Sequence, residues 1–438
     1  MTGWRLLLVR ASAAVLAVVL LKWFAFAVYR IPTPSMQPLL LGSDDGGAHD
    51  RVLVDRLAYA FAAPARWQVL AFRSPLQRRQ EVAKRLVGMP GENLRIDGGN
   101  VYRLAAGGTS PRILRKPDGV QEQLWREVYP LRRRVRGETS ALGGSFRAEP
   151  AAAWHETAGD VLEASPQPGV DCRLVFADTD GGLVDRPWDG HPPAVARALR
   201  ERELARNAPP ANVADAKIAM HVRTAREPAS CALRLTILHP GSDPLGFALL
   251  VQDGAARLVV DRGDGTPALA ASPPFPCSVA AAGGATIAFA HVDDELIAWR
   301  DGVILGRLDT ADHACPDGIV EADLRLRAAT AVAITDLRIW RDVHYTPGSL
   351  PPDHTIAVPA DHYFVLGDNP PDSEDSRGWP MVELGEDAGG DVVPPTAAGA
   401  RRWRGALRLG DSDRAPEADE NPVLAPTAGM ALFVDDLG

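Results

Sequence analysis

Lysine is almost missing from this chain of 438 residues: of its 47 basic side chains, only Lys22, Lys84, Lys116 and Lys217 are lysines. Arginine is the default cation. A guanidinium keeps its proton at any workable pH, whereas a desolvated ammonium can lose it, so a lysine in this composition marks a candidate for proton chemistry. A basic excess is also lacking. Net charge is -9, and no basic stripe with interleaved aromatics appears, which argues against a nucleic-acid partner. Cysteine is scarce: Cys172, Cys231, Cys277 and Cys315 show neither CxxC spacing nor neighbouring histidine pairs, so a zinc site and a thioredoxin motif are both unsupported. In an oxidising compartment they could form one or two disulfides, or remain free and buried. The ten histidines show no grouping that suggests a triad.

Long apolar runs are absent, with one exception at residues 6–28. At about 1.5 Å per residue this stretch could cross a hydrocarbon core of about 30 Å. Arg10 and Lys22 lie near its ends and can snorkel, and Trp4 and Trp23 suit an interface. The expectation is an anchor over residues 1–30, with the N-terminus cytoplasmic because of Arg5 and Arg10, and the rest outside. The alternative is a cleavable signal peptide ending at Ala25-Phe26-Ala27.

What is abundant is Gly (40) and Pro (37), which favours short strands and turns. Residues 51–56 alternate at period two, 69–72 form a short apolar run, and 86–96 read as strand, Pro-Gly turn, strand. Between residues 104 and 344 separate strands are predicted at 217–224, 231–238, 247–252, 257–260, 286–291, 295–299 and 331–340. Asp253-Gly254 and Asp301-Gly302 serve as tight turns. This block reads as a β-sandwich and is similar to laminin-G or concanavalin-like domains. A polar helix is predicted at 194–206, a long exposed excursion at 383–422, and a closing strand at 429–434.

Two motifs precede this block. Ile31-Pro32-Thr33-Pro34-Ser35-Met36-Gln37-Pro38 follows the apolar run, and Val82-Ala83-Lys84-Arg85-Leu86-Val87-Gly88-Met89-Pro90-Gly91-Glu92 supplies the lysine. Beyond the block come Tyr363-Phe364-Val365-Leu366-Gly367-Asp368-Asn369 and Ser373-Glu374-Asp375-Ser376-Arg377. A serine hydroxyl needs a base, and a neutral lysine among apolar neighbours can be one. The Gly-Asp-Asn turn with its acidic cluster also suits any polar turn or a calcium loop, but lacks the calcium loop's ligand spacing.

In this order, after an apolar N-terminal segment, the motifs resemble the type I signal peptidases, membrane-bound Ser/Lys proteases that remove signal sequences from exported proteins. The resemblance covers about a third of the chain. It implies a mainly β catalytic domain in two parts, 31–103 and 345–438, with one transmembrane helix before it and the sandwich inserted at 104–344. It implies Ser35 as nucleophile, Lys84 as base, and the Thr33 hydroxyl with the Ser35 N–H as oxyanion hole. Ser373 would orient the lysine; Asp375, Arg377, Asp368 and Asn369 would support the loop. Ile31, Pro32, Met36 and Ala83 would wall pockets for small side chains. No metal or cofactor is implied. The implied partners are secretory preproteins, the lipid bilayer and export machinery, at the outer face of a bacterial cytoplasmic membrane. The insert's ligand is unspecified. Alternatives are a Ser/Lys processing protease for one dedicated partner, or a tethered binding module with an inactive protease remnant. Four departures stand out: Pro34 replaces a small residue, Pro370-Pro371 replace a polar pair, the excursion after Trp379 separates the last strand by more than is usual, and the insert at 104–344 is the greatest of all.

Overall fold

The structure is a computed structural model. It describes the chain apart from residues 1–3, 5–6, 8, 17–24, 44–48, 76–79, 106–110, 158–159, 166–169, 180–181, 207–208, 240, 264–265, 314–317, 349, 352, 380, 390–391, 395, 410–430 and 436–438. The chain divides into two compact units, Met1–Leu94 with Pro347–Gly438, and Arg95–Thr346. Mainly β architecture runs through both.

In the second unit two eight-stranded antiparallel sheets share one apolar core. One sheet is centred on Val332–Arg341, Ala216–Thr224 and Ala285–Val292, the other on Leu245–Gln252, Ser230–Leu238 and Ile319–Arg327. Strand alternation explains the inward faces: Ala216, Ile218, Met220 and Val222 are buried, while Lys217, Ala219 and His221 between them are less so. Asp253-Gly254 and Asp301-Gly302 have positive φ at both residues, as two-residue hairpin turns need. The polar helix runs Pro193–Arg206.

The first unit is smaller. Phe26–Arg30 pairs with Arg51–Asp55. Glu81–Gly88 lies between Val69–Arg73 and Phe364–Leu366. Leu70, Leu86 and Val365 form its core with Phe72, Met89 and Trp379 against them. A further sheet joins Met381–Glu386, Val392–Val393, Arg401–Leu409 and Ala431–Asp435.

Several expectations change. Among the described residues no helix is long and apolar enough to cross a membrane. Residues 9–16 are helical, but Phe26–Arg30 is a strand hydrogen-bonded to its neighbour, so the expected anchor cannot run to residue 30. Lys22 and Trp23 lie outside the described residues. The excursion expected from residue 383 begins with paired strands up to Leu409, and residues 410–430 lie outside the described residues. Cys172, Cys231 and Cys277 are free and buried, and Cys315 lies outside the described residues. Cys172 and Cys231 pair with Leu326 from opposite sides. Two strand spacings, about 10 Å, exceed what a disulfide spans.

Candidate active site

Ser35 sits in a single 3-10 turn, Pro34–Met36, which proline can open because its missing N–H is not needed there. The turn is closed by Gln37 N–H donating to the Pro34 carbonyl at 3.0 Å, and Leu40 N–H donates to the Met36 carbonyl at 3.0 Å. Ser35 and Met36 are buried, and the Thr33 and Ser35 hydroxyl oxygens lie 3.2 Å apart.

Lys84 lies on Glu81–Gly88, a strand flanked on both edges and buried from Lys84 onward. It is 2% exposed. Its Nζ donates to Ser373 Oγ at 3.2 Å, and Ser373 Oγ donates to Asp375 Oδ2 at 2.7 Å. Arg377 grips both Asp375 oxygens at 2.8 and 2.7 Å, and the Gly367 N–H adds a bond of 3.0 Å. Asp375 is thus fully engaged without touching Lys84. Among the described residues Lys84 has no carboxylate partner in ion-pair contact. Burial therefore dominates and lowers its pKa to about 8, although Asp375, Glu374 and Asp368 pull the other way. No direct Ser35–Lys84 hydrogen bond is formed: Ser35 Oγ faces Thr33 and Lys84 Nζ faces Ser373.

Asn369 links the loop to the serine turn. Its backbone N–H donates to the Ser35 carbonyl at 3.1 Å and its Nδ2 to the Pro34 carbonyl at 3.0 Å. Asp368 pairs with Arg85 through two bonds of 2.7 Å, while Arg85 Nη1 donates to the Trp67 carbonyl at 2.7 Å. In the sequence Arg85 looks like the composition's ordinary cation. In the fold it is 1% exposed and binds the two halves of this unit together. A shallow pocket beside Ser35 is lined by Ile31, Pro32, Thr33, Met36 and Ala83, and also by Tyr29, Arg30, Val52, Val54, Ala71, Glu81 and Val82.

A second acidic cluster escapes the sequence reading. Asp215, Asp293 and Asp342 in the second unit bring carboxylate oxygens within 4.8 Å of one another, all buried. Lys116 already supplies a cation there, hydrogen-bonded to Asp293 and 2.9 Å from Asp342. Its pKa is raised by these carboxylates despite burial. The signal was available: Lys116 is another of the four lysines.

A family model described as "Signal peptidase, peptidase S26" matches residues 4–112 and 321–393. A probable signal peptidase I-2 of Synechocystis sp. is 29% identical over 96 residues, covering 21% of this chain and 41% of that protein. A signal peptidase I of Leptolyngbya laminosa is 31% identical over 96 residues, covering 20% and 44%. The chain spans less than half the length of either relative. A Bacillus subtilis carbohydrate-binding module, CBM66, aligns with 44% of this chain and 94% of its own at 7% identity, with a TM-score of only 0.28. Over residues 4–112 and 321–393, the chain is type I signal peptidase-like in sequence.

Proposed function

We propose that this chain is a membrane-associated serine endopeptidase that removes signal peptides from exported preproteins, with Ser35 as nucleophile and Lys84 as general base. The observation that carries this reading is the state of Lys84: buried, without a carboxylate partner in contact among the described residues, and with its pKa lowered to about 8. Such an amine is neutral often enough near pH 8 to accept a proton. Ser373 takes one N–H, which leaves the lone pair free. A turn of the Ser35 hydroxyl away from Thr33 would bring its proton toward that lone pair and free the Thr33 hydroxyl. Thr33 and the Ser35 N–H would then hold the oxyanion.

The substrate would lie extended, held by backbone hydrogen bonds, with small side chains in the pocket beside Ser35. Val52, Val54 and Val82 are among the side chains that line that pocket. Acylation of Ser35 would release the mature protein, and Lys84 would activate the deacylating water. Membrane association is supported by the apolar run at 6–28 and by Val28, Leu53 and Phe61, which are 65%, 67% and 85% exposed. The second unit would be an accessory, since every proposed catalytic group lies outside it.

The test is incubation of the detergent-solubilised full chain with a labelled preprotein, beside Ser35→Ala. Cleavage by the wild type alone supports the reading. Equal cleavage by Ser35→Ala, or none by either, sinks it.

A further inference from the structure

We infer that the segment from Asn369 to Ser373 is a gauge that fixes the nucleophile relative to the base, with Asn369 a positioning residue and Pro370-Pro371 a rigid spacer. This rests on the Ser35/Lys84 reading above and gives a role to the proline pair that departs from the family pattern.

The two ends of this short segment hold different partners. Asn369 holds the serine turn by two successive carbonyls, those of Pro34 and Ser35. Ser373 accepts the Lys84 hydrogen bond. Whatever sets the distance from Asn369 to Ser373 therefore sets how the Ser35 turn stands to Lys84. Between them Pro370–Asp372 forms a single 3-10 turn, closed by Asp372 N–H donating to the Asn369 carbonyl at 3.1 Å. Two consecutive prolines have their φ fixed by their rings, and a residue preceding proline is itself restricted. Asn369 has φ -114° and ψ 78°.

The spacer is also held in the middle. Arg377 Nη2 donates to the Pro370 carbonyl at 3.1 Å while gripping Asp375, the carboxylate that accepts from Ser373. Positioning matters here because no Ser35–Lys84 hydrogen bond locks the pair directly. An error of about 1 Å between reacting groups can cost about a hundredfold in rate.

The test uses the full chain as Asn369→Ala and as the double variant Pro370→Ala/Pro371→Ala. Active sites are counted by stoichiometric reaction with a serine-directed phosphonylating reagent, and single-turnover preprotein cleavage is followed across pH. Asn369→Ala keeps the backbone bond to Ser35 but loses the amide bond to Pro34. Its rate per active site should fall about tenfold to a hundredfold, with KM within about twofold and the pH midpoint unchanged, because the Lys84 surroundings are untouched. The proline variant should lose less, about threefold to tenfold, by the same split. Wild-type rates per site in both variants, with any loss confined to melting temperature or the number of active sites, would make the segment merely structural and overturn the inference. A shifted pH midpoint in Asn369→Ala would also overturn it, since the residue would then act through Lys84. If Asn369→Ala does not fold, the proline variant decides. A wild-type chain that cleaves nothing overturns the Ser/Lys reading itself, and this inference with it.

Discussion

Raising the pH from 7 to 9 should accelerate single-turnover cleavage about tenfold, and the size of that effect follows from Lys84. With a pKa of about 8, about 9% of the amine is neutral at pH 7 and about 91% at pH 9. An unperturbed lysine near 10.4 would be only about 0.04% neutral at pH 7, so burial raises the competent fraction roughly 200-fold. The same shift has a thermodynamic sign. The unfolded chain binds the Lys84 proton more tightly than the folded one between about pH 8 and pH 10.5. Stability from this group therefore rises with pH across that window, and its cost is fully present below pH 8. At 1.36 kcal/mol per pKa unit, the cost reaches about 3 kcal/mol. Lys84→Met should accordingly stabilise the protein at pH 7, by up to about that amount, while abolishing cleavage. The assays are quenched single-turnover cleavage from pH 6 to 10 and chemical denaturation of both proteins at pH 7. A pH-independent rate combined with an unchanged or lower stability of Lys84→Met would refute the reasoning.

Three further outcomes are expected. Gly367→Ala should nearly abolish cleavage without unfolding the second unit, because a Cβ there would collide with Ser373 Oγ and the Ser35 carbonyl; circular dichroism and a cleavage assay read both. Arg85→Ala should cost about 3–5 kcal/mol in denaturation, since it strands the buried Asp368 carboxylate, and an effect below about 1 kcal/mol would show that the pair is not a structural tie. Asp215 has its pKa raised to about 7 by burial and the nearby Asp342 charge. The folded state thus holds its proton more tightly, and the stability it contributes at acid pH is lost between about pH 4 and pH 7. Asp215→Asn should flatten that decline in melting temperature, and an unaltered pH dependence would remove Asp215 as its source.

The β character is legible from alternating runs such as 217–224 and from tight turn pairs such as Asp253-Gly254, which joins Leu245–Gln252 to Ala255–Asp261. The short strands Trp154–Thr157 and Val161–Ala164 are not. Four residues with a charged member carry too little periodicity. At the N-terminus, apolar composition points to membrane as far as residue 28, yet Phe26, Ala27 and Val28 satisfy their backbone against Arg51–Asp55. At 383–409 a Gly- and Pro-rich composition hides Arg401–Leu409, whose partner, Met381–Glu386, is needed to make it a strand.

Ser35, Lys84 and Ser373 can be named from motif order, but their contacts cannot. Arg85 and Asp368 stand 283 positions apart, and only the fold makes them one bidentate pair. Lysine scarcity is also a broader signal than proton chemistry. Lys116 answers a nest of carboxylates, and Lys217 Nζ lies 5.8, 5.0 and 5.5 Å from the ring centres of Trp125, Trp299 and Trp340. What separates Lys84 from these two is burial with no ion-pair partner in contact among the described residues, a property of the fold and not of composition.

The central claim is that a neutral lysine at position 84 takes the Ser35 proton. Single-turnover cleavage of a labelled preprotein by the wild type and by Lys84→Arg, at pH 8 and pH 9, tests it most directly. The substitution keeps the charge and roughly the length, but an arginine stays protonated at both values. Wild-type cleavage that is faster at pH 9, with Lys84→Arg slower by several orders of magnitude at both, is the predicted result. Near-wild-type cleavage by Lys84→Arg would contradict it and require another base.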